Sequence, residues 1–181
     1  MTVRSPVTLA YLVLSLVVVL LPFYWWEYDF GGLVVVYTSP FHVSIYLLGD
    51  LLEVSYVISA ALEALRLYLV VSISRDIYLL VRKGRPVRNW AVLSMSVQYL
   101  VYPVVIYLII NHVSSAYGIG ISYSYLEIGR EVVHMDVAGA DMVSVFSYSP
   151  SPAYWFALAV GVLSVPAYLE SRRREKKGKN P

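Results

Sequence analysis

The amino-acid sequence predicts an all-α integral membrane protein, a four-helix bundle with a small β-containing cap on its extracytoplasmic side. Three observations lead there. The 181 residues are 59% hydrophobic and only 14% charged, with a mean hydropathy of +0.65, whereas soluble domains average about 25% charged and 45–50% apolar residues. The apolar residues fall in long uncharged runs that a water-facing surface could not accommodate. The basic residues, finally, collect beside alternate runs, as cytoplasmic retention of Lys and Arg requires.

The first uncharged run covers 5–26 and predicts a span at about 6–26. A bilayer core about 30 Å thick needs about 20 helical residues. Arg4 followed by an apolar run also resembles a signal peptide, but no small-x-small cleavage site follows; the run ends in Pro22, Phe23, Tyr24, Trp25 and Trp26, an aromatic belt that suits an uncleaved anchor. The next segment, 27–50, reads as an outer loop. It contains the uncharged run 30–49, but Gly31, Gly32 and Pro40 suit a loop, and an additional crossing there would push the basic linker 82–89 outside.

The second span, about 51–81, is interrupted by Glu53, Glu63, Arg66, Arg75 and Asp76, although 54–74 carries only Glu63 and Arg66 as charges. Its start lies anywhere between 41 and 51. The third span, about 90–111, comes from the uncharged run 89–126, and the fourth, about 152–169, from the run 142–169. Tyr154, Trp155 and Phe156 mark the outer end of the fourth span, and Trp90 and Tyr168 mark the inner interface. Arg4, the linker residues Arg82, Lys83, Arg85 and Arg88, and the tail 170–181 hold 11 of the 14 basic residues, so both termini are expected in the cytoplasm of a cell-membrane protein.

Between the third and fourth spans, 112–151 changes from runs to alternation. Ile and Tyr alternate with Gly and Ser over 119–125, and Val143 and Val145 fall on the face opposite Ser144, Phe146 and Tyr148. Period-two texture of this kind predicts strands. Further strands are expected at 131–137 and, in the first outer loop, at 33–37; a short surface helix over 127–135 is the alternative for the former. Four spans with a shorter first and a longer second outer loop resemble the silhouette of tetraspanins, without the paired loop cysteines or the Cys-Cys-Gly motif of that family.

The chain has no cysteine, which excludes disulfides, thiolate metal sites, iron–sulfur clusters and thiol catalysis. No phosphate-binding loop, nucleophile elbow or internal repeat is visible. A net charge of +2, with its basic tail ordinarily serving to stop translocation, gives no footprint for nucleic acid.

The sharpest polar feature is Glu63 with Arg66, because an ionisable group at mid-bilayer costs about 2.5–3.5 kcal/mol on insertion scales unless it faces protein or water. Three residues apart, they can pair along the helix. With inner boundaries near Arg75 and Trp90, Gln98 lies level with Arg66 and Tyr102 lies near Glu63 on the antiparallel third span; moving the former boundary to Val81 breaks both matches. The quartet Glu63, Arg66, Gln98 and Tyr102 would then serve an ion or proton relay, or a polar docking site, or simply a buried pair fixing helix register.

A second constellation joins the three histidines, His42, His112 and His134, all expected outside among carboxylates. Glu131 and His134 share a helix face only if 131–134 is helical; on a strand, His134 shares its face with Asp136 instead. Imidazole and carboxylate suit zinc or copper. No cofactor is predicted, and a metal ion at these residues is the exception that the sequence leaves open. Ala153, Ala157 and Gly161 form a small-residue face on the fourth span that suits close helix packing. Without catalytic motifs, the sequence predicts a non-catalytic accessory, assembly or interaction subunit of a membrane complex or cell-envelope structure, partnered by lipid, other membrane subunits or copies of itself. A small transporter or ion-conducting protein centred on Glu63 and Arg66 is the alternative, and an outward-facing metal-binding subunit the third.

Overall fold

A computed structural model describes residues 5–84, 89–116, 120–122, 128–137 and 140–177. Arg4, Arg85, Arg88, Glu127, Lys179 and most of the expected strand 119–125 lie outside this set. Two mixed units follow each other along the chain. The first is α1 (Pro6–Leu20), β1 (Trp26–Phe30), β2 (Val34–Ser39), β3 (His42–Leu47), β4 (Asp50–Leu51) and α2 (Val54–Lys83). The second is α3 (Ala91–Ala116), β5 (Gly120–Ser122), β6 (Gly129–Val137), β7 (Ala140–Pro150), α4 (Pro152–Val162) and α5 (Ser164–Lys177).

All seven strands form one antiparallel sheet in the order β4-β3-β2-β1-β7-β6-β5. The all-α four-helix bundle with a small cap is thereby corrected to an α+β architecture. What read as the first outer loop is a four-stranded meander, and β1 pairs with β7 more than a hundred residues away, joining both outer segments into one sheet. Turn chemistry explains the first meander: Gly31 and Gly32 at φ 68° and 73° close β1 onto β2, and Leu48 with Gly49 at φ 52° and 91° closes β3 onto β4. The surface helix weighed for 127–135 is overturned by β6, which pairs with β7 along its whole length.

Among the described residues, two helical stretches are long and apolar enough to cross a membrane by length and composition, Val54–Lys83 and Pro152–Arg173, while Pro6–Leu20 and Ala91–Val105 are shorter apolar helices. The expected span 6–26 is thus helical only to Leu20, before extended chain leads into β1. The fourth helix turns at Leu163, where α4 passes into α5 just ahead of Pro166.

Helix contacts fix the layout. α1 packs on α2, α4 and α5; α3 packs on α4; α2 flanks β3, and α3 flanks β5 at the opposite edge of the sheet. At one end of the helices, the Tyr11 hydroxyl donates to the Asn89 carbonyl (2.8 Å), Asn89 Nδ2 donates to Asp76 (3.1 Å), and Trp90 meets Tyr168 at 5.4 Å. Arg82, Lys83, Arg172 and Arg173 lie beyond these contacts along their helices. At the other end, Trp25 meets Tyr99 and Tyr154, Trp26 meets Tyr154, and Thr38 shares a hydrogen bond with Tyr99. The sheet stands on this aromatic floor. Small residues close the helix packing: Ala157 is fully buried, and a Cβ on Gly161 would sit 2.9 Å from Leu93 Cα. The Ala153, Ala157 and Gly161 face therefore serves the contact between α3 and α4.

Candidate functional site

Strand alternation divides the sheet into two unlike faces. Trp26, Tyr28 and Phe30 of β1 align across the register with Tyr148 and Phe146 of β7 and with Thr38 and Val36 of β2. This inner face is sealed: Trp26, Tyr28, Phe146 and Tyr148 are buried, and their rings meet edge to face with Phe30 and Tyr154.

The outer face presents different chemistry. Register places Glu27 beside Ser149, Asp29 beside Ser147, Arg130 also beside Ser147, Val132 beside Val145, and His134 beside Val143. Val132, Val143 and Val145 are 55%, 60% and 48% exposed. Three neighbouring branched apolar side chains left in the open on a sheet are the unusual observation, since isolated exposed apolar residues need no explanation. Asp29, Gly31, Arg130, Val143, Val145 and Ser147 line a shallow depression of about 410 Å³ here. Asp29 Oδ1 accepts the Gly32 N–H at 2.6 Å, which holds the carboxylate at the rim. Gly31 lets the β1–β2 turn pass close to β7, since a Cβ there would collide with Ser144 Oγ. Farther along this face, partial burial and the Glu27 carboxylate raise the Tyr37 phenol above its ordinary pKa, so it stays a neutral donor.

The quartet expected within the helices is divided. Arg66 donates to Glu63 at 2.7 Å and lies 5.2 Å over the ring of buried Phe41, in the turn between β2 and β3. Arg66 lies 17 residues from the Lys83 end of α2, about 25 Å at 1.5 Å per residue, so the pair sits where helix meets sheet. Gln98 donates to Tyr102 at 3.0 Å on α3. α2 and α3 approach near Asn89 and Asp76 and then diverge to opposite edges of the sheet, so Arg66 and Gln98 do not meet. The antiparallel pairing expected from the short linker fails because α2 packs along α1 and α3 along α4.

The histidines also stay apart. His42 is exposed on β3, where it bonds Ser44 at 2.9 Å; His112 is exposed on α3; His134 is exposed on β6. Four strand spacings separate β3 from β6, about 19 Å. Alternation on β6 puts Glu131 on the inner face and His134 on the outer, while the side chain of Asp136 lies outside the described set. Among the described residues, no three His, Asp or Glu side chains converge on a point.

Sequence reasoning missed that the sheet sets Asp29 and Arg130 on either side of Ser147. Its trace in the sequence is Arg130 as the one basic residue of the outer segments, next to the alternating stretch that contains Val143 and Val145. No family model, characterised protein or solved structure matches this chain.

Proposed function

We propose that this chain is a multi-pass membrane protein that acts without catalysis, as an accessory, assembly or interaction subunit that holds an outward-facing β-sheet above the bilayer. The observation that carries this reading is the two-faced sheet: one face buries its aromatic rings against one another and Tyr154, while the other exposes Val132, Val143 and Val145 beside Asp29 and Arg130. Burying such a patch against another protein removes apolar surface from water at about 25 cal/mol per Å².

The bilayer reading rests on the helices. Exposed Leu67, Tyr68 and Val71 on α2 suit hydrocarbon and its interface rather than water. Helix ends bearing Arg82, Lys83, Arg172 and Arg173 suit the cytoplasmic side, which leaves the sheet outside. The contact of Trp90 with Tyr168 and the cluster of Trp25, Trp26 and Tyr154 put aromatic rings at the two ends of the helices, as interfacial belts do. With Glu63 and Arg66 paired beside Phe41 at the upper end of the helices, a register and docking role suits them better than a relay.

Purification from native membranes in mild detergent, with mass spectrometry of everything that co-migrates, tests the proposal. Stoichiometric partners or a defined oligomer are expected. A strictly monomeric particle without partner overturns it.

A further inference from the structure

The outer face of the sheet carries opposite charges on either side of one strand. β7 runs through the middle, with Ser147, Val145 and Val143 pointing to this face; β1 on one side brings Glu27 and Asp29, and β6 on the other brings Arg130 and His134. Asp29 and Arg130 stand at the same height, since each is in register with Ser147. With neighbouring strands about 4.8 Å apart, the two charges flank β7 at a separation of about 10 Å. Arg130 is exposed, and among the described residues no carboxylate is ion-paired with it.

This arrangement has a property that neither residue shows alone. A two-fold axis laid along β7, just above the outer face, turns a second copy so that its β7 covers the first copy's β7. The same rotation carries its β1, with Glu27 and Asp29, over the first copy's β6, and its β6, with Arg130, over the first copy's β1. Asp29 of each copy then faces Arg130 of the other, twice, with Ser147 from both copies between them and Val132, Val143 and Val145 beside them along the strands. Sheets pack face to face about 10 Å apart, a distance that an Arg and an Asp side chain span together. Rotation about an axis parallel to the strands preserves direction along them. β7 enters α4 directly through Ser151, so both copies keep their helices at the same end, as two proteins in one bilayer must.

We propose that the outer face of this sheet is a self-complementary interface that binds a second copy of this chain, with Asp29 pairing with Arg130 across a two-fold axis along β7. The inference rests on the partner-subunit reading and names the partner. The β2, β1, β7 and β6 strip covers an area on the order of 20 Å by 20 Å per copy, roughly 800 Å² in all, which is below the size of a stable soluble interface and makes this a weak contact. Confinement of both copies to one membrane raises their effective concentration, so the membrane is where the contact is to be measured.

The cysteine-free chain makes the test direct. Ser147→Cys lies on the axis, and in native membranes a bismaleimide spanning about 10 Å should join two copies through it. Val71→Cys, on the exposed face of α2, should give no cross-link. Arg130→Glu alone and Asp29→Arg alone should each abolish the Ser147→Cys dimer. Co-expressed with different tags, these two variants should pair with each other, because their complex restores both opposite-charge contacts; this recovery separates lost complementarity from lost folding. Cross-linking through Ser147→Cys and Val71→Cys alike, or absence of the mixed pair, overturns the proposal. No dimer together with a stoichiometric foreign partner in mild detergent overturns the second-copy assignment and leaves the partner-subunit reading standing. No dimer and no partner overturns both.

Discussion

Glu170 reaches from α5 to the first turn of α1, where its carboxylate accepts both the Thr8 N–H (3.0 Å) and the Thr8 hydroxyl (2.9 Å). The first amides of a helix lack intrahelical acceptors, and the Ser5 side chain makes no cap bond here. A negative charge at this position also meets the positive end of the helix dipole. Glu170→Ala should therefore cost about 1–3 kcal/mol and lower the melting temperature in detergent, because Thr8 is buried and its donors lose this acceptor. Leu48 presents the reverse case. It is 72% exposed and sits at φ 52°, where an L side chain costs about 1–2 kcal/mol and asparagine is tolerated better. Leu48→Asn should raise the melting temperature; a fall would show that the leucine makes a contact worth more than its strain. Neither residue was legible as special in the sequence, since one depends on a partner 162 positions away and the other on a turn type.

Sheets expose unpaired backbone along their edges, and this one covers β3 with a helix. Ser59 Oγ accepts the Val43 N–H (3.1 Å) and donates to the Val43 carbonyl (2.9 Å), while Ser55 Oγ accepts the Ile45 N–H (2.9 Å). Two serines one helical turn apart thus extend the ladder where β4 is too short to do so. Ser59→Ala should cost about 1–3 kcal/mol and speed hydrogen exchange at the Val43 amide, an effect absent if the helix merely lies beside the strand. α2 is 30 residues long for this reason: its first turns serve the sheet and its remainder the helix packing. The sequence showed its apolar pattern and the Glu63–Arg66 pair, but not that Ser59 and Glu63 belong to the junction with β3. Strands β6 and β7 were legible because their alternation is regular. Of the first meander only β2 was expected, at 33–37; β1, β3 and β4 were hidden because the hairpins that join them turn on Gly31-Gly32 and Leu48-Gly49 rather than announcing themselves by a long alternating run.

Taken together, the helices and the sheet form a continuous structure in which the central strands β1 and β7 lead to α1 and α4, while α2 and α3 flank opposite edges. Close packing at the centre of this arrangement predicts that Gly161→Ala, which would press a methyl group to 2.9 Å from Leu93 Cα, destabilises the fold by about 1–3 kcal/mol in thermal melts. The pairing of β1 with β7 is what local periodicity cannot reveal, and it turned an expected bundle with a cap into an α+β protein. It also created the two-faced sheet on which the proposed function depends. That proposal requires the sheet to stand outside the membrane and the basic helix ends to lie in the cytoplasm. Single cysteines at Asp50, exposed in β4, and at Arg173, exposed near the other end, report this directly in a chain with no cysteine of its own. In intact cells, a membrane-impermeant maleimide should label Asp50→Cys at once and Arg173→Cys only after permeabilisation. The opposite pattern, or recovery of the protein in the soluble fraction, would contradict the account.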